Sequence, residues 1–259
     1  MTTMKRALGR RVYGMAAAAL GVLALIWHDP KHWQQLVSLG NFPYREILVY
    51  VAAFVQIAGG IAIQWPRASR AGAAILGSVY LIFAILLLPA IAAKPQELYR
   101  WLNCFYELSL VAGALVAYAS VRKNDSQRAT RAARFGCFLF GISNVSFAAE
   151  QVEFLSRTAS LVPRWMPPGQ MFWAIATAIA FALAGMAIAV GRFALPASRW
   201  LAAMLIGFVL RVWVPACLAE PHNFGNWSEG LETLAIAGAA WILADFLSRD
   251  HVTAAPSES

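Results

Sequence analysis

Charged residues are scarce in this sequence of 259 residues. They make up 13% of it, whereas apolar residues make up 60%, and the mean hydropathy is +0.59. A soluble domain has roughly 45–50% apolar residues and about 25% charged residues. An apolar excess of this size cannot be buried in one aqueous core. The composition therefore excludes an ordinary soluble protein and indicates a protein that lies in lipid.

Cysteine is also rare, and the usual catalytic motifs are missing. Cys104, Cys137 and Cys217 are widely spaced and contain no C-x-x-C pair, which argues against a disulfide framework and against a dithiol redox centre. No phosphate-binding loop, dinucleotide-binding glycine motif, nucleophile elbow or pair of intramembrane histidines for haem is visible. We therefore predict no metal or cofactor ligands in this chain itself, and whether it is an enzyme stays open.

Long apolar runs are what the sequence does contain. A helix needs ~20 predominantly apolar residues to cross a bilayer. Eight segments meet this requirement, so we predict an all-α polytopic membrane protein that has the bilayer as its first partner. The segments are 11–28, 44–65, 70–93, 98–121, 134–150, 170–191, 197–219 and 228–248.

The two halves of the chain repeat each other at an offset of 125 to 126 residues. Gly, Pro and Trp each reflect a special backbone or packing requirement, so their recurrence at one offset indicates a duplication. Four spans per half predict two tandem four-helix bundles of equal orientation, related by a pseudo-twofold axis along the membrane normal. The matching pairs include Gly59 and Gly185, Pro89 and Pro215, Pro95 and Pro221, Trp101 and Trp227, and Glu107 and Glu232. The predicted parts are 1–121, a basic linker 122–133, 134–248 and a disordered tail 249–259.

Basic residues lie mainly on one side of the predicted spans. Of the 21 Lys and Arg residues, 14 fall in loops on the N-terminal side, six fall in loops on the other side, and Arg211 lies within a span. This bias predicts an inner-membrane protein whose two termini are cytoplasmic. The net charge of +8 follows from this topology and does not indicate nucleic-acid binding. We expect the basic linker to touch anionic lipid.

The pattern resembles the DoxX-like family of small four-helix membrane proteins, here in a tandem duplicated form. The likeness rests on the basic start of the first helix, an aromatic-rich outer loop, Ala58-Gly59-Gly60 before an inner basic turn, and a Glu early in the fourth helix. The resemblance implies links to quinone-coupled sulfur oxidation and to membrane thiol or superoxide-defence complexes. Typical members carry a Glu in the second helix, where this chain has Gln56 and, in the second copy, Ala182.

Ionisable residues inside apolar spans are costly and mark candidate functional sites. Glu107, Glu229, Glu232 and Arg211 all fall in the outer half of the membrane. We predict that Arg211 pairs with Glu232, or with Glu107 across the axis. Two interpretations stay open: a structural salt bridge between the seventh and eighth helices, or a carboxylate pair that handles a proton or a ligand headgroup. Gln56 joins these residues as a candidate.

A second group of polar residues is predicted near the outer surface. There are two alternatives for this group, a metal site and ordinary interfacial polar residues. Pro30 makes a continuous helix through His28 unfavourable. The group consists of His28, Asp29, Glu150, Glu153 and His222.

Three functional hypotheses follow. The leading one is an accessory membrane subunit of a redox or quinone-linked process, with quinone as a possible ligand and a redox partner subunit that holds the cofactor. The alternatives are a non-catalytic protein that binds a lipid or an apolar ligand or assists assembly, and a small transporter. A quinone site needs polar groups that face an apolar cleft, and a scaffold needs none.

Topology reporters test the predicted orientation. Because most basic residues lie on one side, a reporter fused at the C-terminus should be active only in its cytoplasmic form, and a reporter inserted after Pro95 should read as external. Cytoplasmic activity at Pro95 would contradict the arrangement of eight spans.

Overall fold

The structure is a computed structural model that describes residues 8–28, 44–121 and 127–254, with side chains described as far as residue 249. Within these ranges the chain forms helices and no strand. The helices are α1 (Leu8–Ile26), α2 (Arg45–Ala62), α3 (Ser69–Ala93), α4 (Leu98–Ser120), α5 (Gln127–Glu153), the short α6 (Leu155–Leu161), α7 (Gln170–Val190), α8 (Ala194–Ala219) and α9 (Phe224–Ala254).

Eight of the described helices, all except α6, are long and apolar enough to span a membrane. The predicted all-α fold with eight transmembrane helices is therefore confirmed. The helix bounds differ from the predicted parts at two places. Helix α5 begins at Gln127, inside the predicted linker 122–133, and α9 continues to Ala254, inside the predicted tail 249–259. Residues 122–126 and 255–259 lie outside the described residues.

The eight spanning helices of the described chain form a closed ring. Each spanning helix packs against the next in the order α1, α2, α3, α4, α5, α7, α8 and α9, and α9 packs against α1. Helices α4 and α9 also pack against each other across the ring, and they have the largest buried shares, 61% and 67%. The first helix of each half thus packs against the last helix of the other half, so that the two four-helix units interlock.

Two glycine pairs make matching close contacts in the two halves. A Cβ atom added to Gly60 of α2 would lie 2.5 Å from the backbone oxygen of Gly14 in α1. A Cβ atom added to Gly185 of α7 would lie 2.7 Å from the backbone oxygen of Gly141 in α5. Neither contact leaves room for a side chain, which is how small residues let helix backbones approach in lipid. The two halves of the chain thus share the same packing contact between their first and second helices.

These contacts also define the alignment of the two halves more precisely than the sequence does. The first helices match at an offset of 127, where Gly9, Tyr13 and Gly14 correspond to Gly136, Phe140 and Gly141. The second helices match at an offset of 125, because five of their buried positions then coincide. Those positions are Val49, Ala53, Gln56 and Gly60 in α2 with Ile63 directly after it, and Ala174, Ala178, Phe181, Gly185 and Ile188 in α7. The counterpart of Gln56 is therefore Phe181 and not Ala182.

Three helices begin with the same tryptophan contact. The indole Nε1 of Trp101 donates a hydrogen bond to the Pro95 backbone oxygen at 3.0 Å, and Trp227 donates to Pro221 at 2.9 Å, as the repeat implies. Trp173 donates to Pro167 at 2.9 Å in the same way before α7. Each contact ties a loop to the helix that follows it, and tryptophan is the residue enriched at membrane–water interfaces.

Ion pairs hold the loop between α3 and α4. The Glu97 carboxylate lies 3.0 Å from Lys94 Nζ and 2.6 Å from Arg100 Nε. Hydrogen bonds from Lys94 and then Arg100 lower the pKa of Glu97 to about 2. Because these groups are partly exposed to solvent, the pairs order the loop more than they stabilise the fold.

Substitution of the contact glycines tests the interlocked packing. Gly60→Ala and Gly185→Ala should each lower the free energy of unfolding by about 1–3 kcal/mol, since the added methyl group meets backbone. Gly207→Ala in α8 is the matched control, because an added Cβ there meets nothing within 4 Å. The control should be neutral or should stabilise the helix by up to ~1 kcal/mol. Equal effects of all three in a thermal or denaturant melt in detergent would contradict the packing.

Candidate functional site

One cavity lies inside the ring near the end that carries the Trp101 and Trp227 contacts. We call it the glutamate cavity, and its volume is about 180 Å³. Four glutamates line it, together with five other polar side chains and an apolar wall. The polar lining residues are Glu107, Glu150, Glu229, Glu232, Gln56, Tyr80, Asn103, Tyr106 and Ser228, and the apolar wall includes Leu20, Leu23, Phe83, Leu87, Leu110, Phe224 and Ile236.

The two central helices bring the repeat-related glutamates together. Glu107 lies nine residues after the start of α4 and Glu232 eight residues after the start of α9, which is ~12–14 Å along each helix. Glu229 precedes Glu232 by three residues and lies on the same face of α9. Glu107 is 9% exposed, and Glu229 and Glu232 are half-buried. The Glu232 carboxylate lies within electrostatic reach of both Glu229 and Glu107.

Gln56 forms the inner wall of the cavity with Tyr80. The Gln56 amide Nε2 donates a hydrogen bond to the Tyr80 hydroxyl at 3.3 Å, and the Tyr80 ring meets Tyr13 edge to face at 6.3 Å. The Tyr13 hydroxyl donates to the Leu110 backbone oxygen at 2.7 Å. Gln56 is only 3% exposed, yet its Oε1 has no hydrogen-bond partner among the described residues. A buried amide oxygen is thus left with spare accepting capacity at the cavity wall.

The outer wall is held by Tyr106 and Glu150. The Tyr106 hydroxyl lies close enough to the Glu150 carboxylate to interact with it, and this brings α4 together with the end of α5. Arg157 on α6 lies within electrostatic reach of Glu150 and Glu229 and is exposed. Among the described residues that line the cavity, none is Lys, Arg or His. The acidic lining therefore requires positive charge from bound protons, from a ligand or from Arg157 at its edge.

Aromatic rings fill the corresponding region on the other side of the pseudo-twofold axis. Phe181, the counterpart of Gln56, packs against Phe208 at 6.1 Å and against Phe147 at 5.9 Å between ring centroids. Phe147 in turn packs against the Tyr106 ring at 4.6 Å. The same helix geometry is therefore polar and hollow on one side and apolar and packed on the other.

Arg211 does not join the glutamates, so the predicted pairing with Glu232 or Glu107 is wrong. Its guanidinium lies 5.5 Å from the centroid of the Trp165 ring, and the residue is exposed. The reason lies in α8, which opens into a π-helical turn at Val209–Trp213. Pro215 has no N–H to donate to the Arg211 carbonyl, and the wider turn changes the direction in which residue 211 projects.

The other predicted candidates separate into two groups. Glu107, Glu229, Glu232 and Gln56 all line the cavity as candidate ligand-binding residues, and Glu150 joins them instead of forming an outer-face cluster. His28 is exposed and stacks on Tyr50 at 5.8 Å, and Glu153 and His222 are exposed and do not line the cavity. Asp29 lies outside the described residues. Within the described ranges, no group of three or more His, Cys, Asp and Glu side chains could hold a metal ion.

Tyr80, Asn103 and Tyr106 were not predicted as site residues, because the site was predicted mainly from residues that carry charge. A usable signal was present on α4, where Asn103 precedes Glu107 by one helical turn and Tyr106 is its neighbour in sequence. On α3, Tyr80, Phe83 and Leu87 have the spacing of one helix face, and all three line the cavity.

Comparisons with known proteins give no relative. No protein-family description, no curated protein and no solved structure matches this chain.

A pair of double-mutant cycles tests the position of Arg211. Because its contact is with the Trp165 ring, Arg211→Leu and Trp165→Leu should show a coupling energy of about 0.5–1 kcal/mol. Arg211→Leu and Glu232→Leu should be additive within about 0.5 kcal/mol. Strong coupling of Arg211 to Glu232 in unfolding measurements would contradict the observed geometry.

Proposed function

We propose that the protein is a ligand-binding subunit of the cytoplasmic membrane, with both termini on the cytoplasmic side. In this proposal the glutamate cavity, near the outer surface, holds the polar head of a small lipid-soluble molecule and exchanges protons with it. The observation that carries the proposal is the Gln56 side chain, which lines the acidic cavity and whose buried Oε1 has no hydrogen-bond partner in the described part of the chain.

The energetic cost of this arrangement favours binding over a purely structural role. A buried acceptor that lacks a partner costs about 1–3 kcal/mol. The other half of the same fold avoids that cost, because Phe181 occupies the corresponding position and packs against aromatic rings. Folding therefore does not require a polar residue at this position. A ligand that donates a hydrogen bond to Gln56 explains why a polar side chain lies there.

Quinol is the ligand class that the cavity and the family resemblance support together. A quinol head is a flat ring with two hydroxyl groups, which can donate to Gln56 Oε1 and to a glutamate carboxylate. Leu23, Phe83 and Leu87 supply an apolar wall for the ring, and the Asn103 amide can donate to the oxidised form. The DoxX-like resemblance adds an accessory role in a redox or quinone-linked process, with the electron carrier on a partner subunit.

Binding of a short-tailed benzoquinol to protein in nanodiscs tests the proposal. Gln56→Leu should weaken binding by about tenfold, since it removes one hydrogen bond to the ligand. Thr177→Val is the matched control, because Thr177 is a half-buried polar residue on α7, the counterpart of α2, and does not line the cavity. The control variant should bind as the unchanged protein does, as measured by tryptophan fluorescence and by extraction of bound quinol.

Two outcomes would contradict quinol binding. Equal affinity of the Gln56→Leu variant and the unchanged protein would remove the cavity as the quinol site. Binding of a quaternary ammonium ion in place of quinol would favour a second candidate, a cation-binding or transport protein, which the four glutamates and the Tyr80, Phe83 and Tyr106 rings also suit. That binding should be lost in Glu232→Gln and kept in Gln56→Leu.

A further inference from the structure

A second cavity lies at the opposite end of the ring and has the opposite character. Its volume is about 230 Å³, and it lies between α1, α3, α4 and α9. Arg10 of α1 and Arg249 of α9 line it, with Asp245 as the one acidic residue among the described lining residues. We call it the arginine pocket. It has no part in the function proposed for the glutamate cavity.

The two arginines reach the pocket from different halves of the chain. Arg10 is half-buried and lies within electrostatic reach of both Arg249 and Asp245. Arg249 Nη1 donates a hydrogen bond to the Ser120 backbone oxygen at 3.4 Å, which holds its side chain over the end of α4. Among the described lining residues, two guanidinium groups and one carboxylate give a net charge of +1.

Further features of the pocket favour an anion. Helix α3 begins at Ser69, which lines the pocket, and the positive end of a helix dipole lies at its N-terminus. A cavity needs only about 10–15 Å³ to hold one water molecule, so this pocket has room for a headgroup as well as water.

The position of Arg10 carries a charge in one half of the chain only. At the offset of 127 that relates α1 to α5, Gly9 corresponds to Gly136 and Arg10 corresponds to Cys137. Cys137 is buried and carries no charge that could bind an anion. The repeated fold therefore does not by itself require an arginine at this position.

We propose that the arginine pocket binds a phosphate group, supplied by the headgroup of an anionic phospholipid. Guanidinium groups suit phosphate because their planar donors match its oxygens in pairs. The pocket lies where the spanning helices end, and basic pockets between helices on the cytoplasmic side of a membrane bind anionic headgroups. None of the described lining residues belongs to the basic linker 122–133, whose contact with lipid is a separate prediction.

Thermal melts of the full chain in detergent test this proposal. Added phosphatidylglycerol should raise the melting temperature by about 5 °C, and phosphatidylcholine should not. Arg10→Gln and Arg249→Gln should each remove at least half of that shift, and Arg10→Lys should remove less because it keeps the charge. Arg11→Gln is the matched control, since Arg11 is exposed, adjacent in sequence and outside the pocket.

Two additional measurements keep the test decisive. Melts with inorganic phosphate distinguish a lipid headgroup from free phosphate as the source of the bound group. A small rise in the melting temperature supports the lipid headgroup, and a rise as large as that from phosphatidylglycerol overturns the lipid as source. Native mass spectrometry of lipid retention covers any variant that melts poorly. Retention of phosphatidylglycerol that is equal in the Arg10→Gln, Arg249→Gln and Arg11→Gln variants would overturn the proposal.

Discussion

Close contact between helix backbones is the constraint on which this structure depends. In lipid the hydrophobic effect does not drive one apolar helix against another, so association rests on packing and on hydrogen bonds. The reciprocal contacts of Gly14 with Gly60 and of Gly141 with Gly185 bring each first helix onto its neighbour. Gly238 allows α9 to approach the Tyr13 backbone in the same way. The ring closes because α1 packs closely against both α2 and α9, and α5 packs closely against both α4 and α7.

Closure of the ring decides where polar groups can lie. Helices α4 and α9 are enclosed by the others and carry Glu107 and Glu232 towards a shared interior, away from lipid. The two sides of the axis then differ through a few substitutions on one common frame. Gln56 and Arg10 occur on one side, whereas Phe181 and Cys137 occupy the corresponding positions on the other. The side of the ring that carries Gln56 is thus polar and hollow, whereas aromatic rings pack around Phe181 on the other side.

The sequence could predict the spans, the duplication and the glutamates, because each depends on composition or on rare residues at a fixed offset. It could not predict the position of Arg211, since the π-helical turn before Pro215 changes where that side chain projects. Pro89, its counterpart, lies inside a continuous helix, so the proline alone was not a sufficient signal.

The correspondence between Gln56 and Phe181 could not be predicted from the sequence either. The offset drifts from 127 in the first helices to 125 in the second, and Gly59-Gly60 allows two alignments with Gly185. Only the contacts of the glycines distinguish them, because Gly60 meets α1 whereas Gly59 meets α3. The cavity also depends on the hydroxyl groups of Tyr80 and Tyr106. These two residues do not stand out in the sequence, because 12% of its residues are aromatic.

An experimental structure of the protein in native lipid tests the central claim, which is that one side of the duplicated ring is a ligand site. The account predicts non-protein density within hydrogen-bond distance of Gln56 Oε1, and closely packed Phe147, Phe181 and Phe208 on the other side. A cavity closed by its own side chains, with the Gln56 amide bonded fully to protein groups, would contradict it.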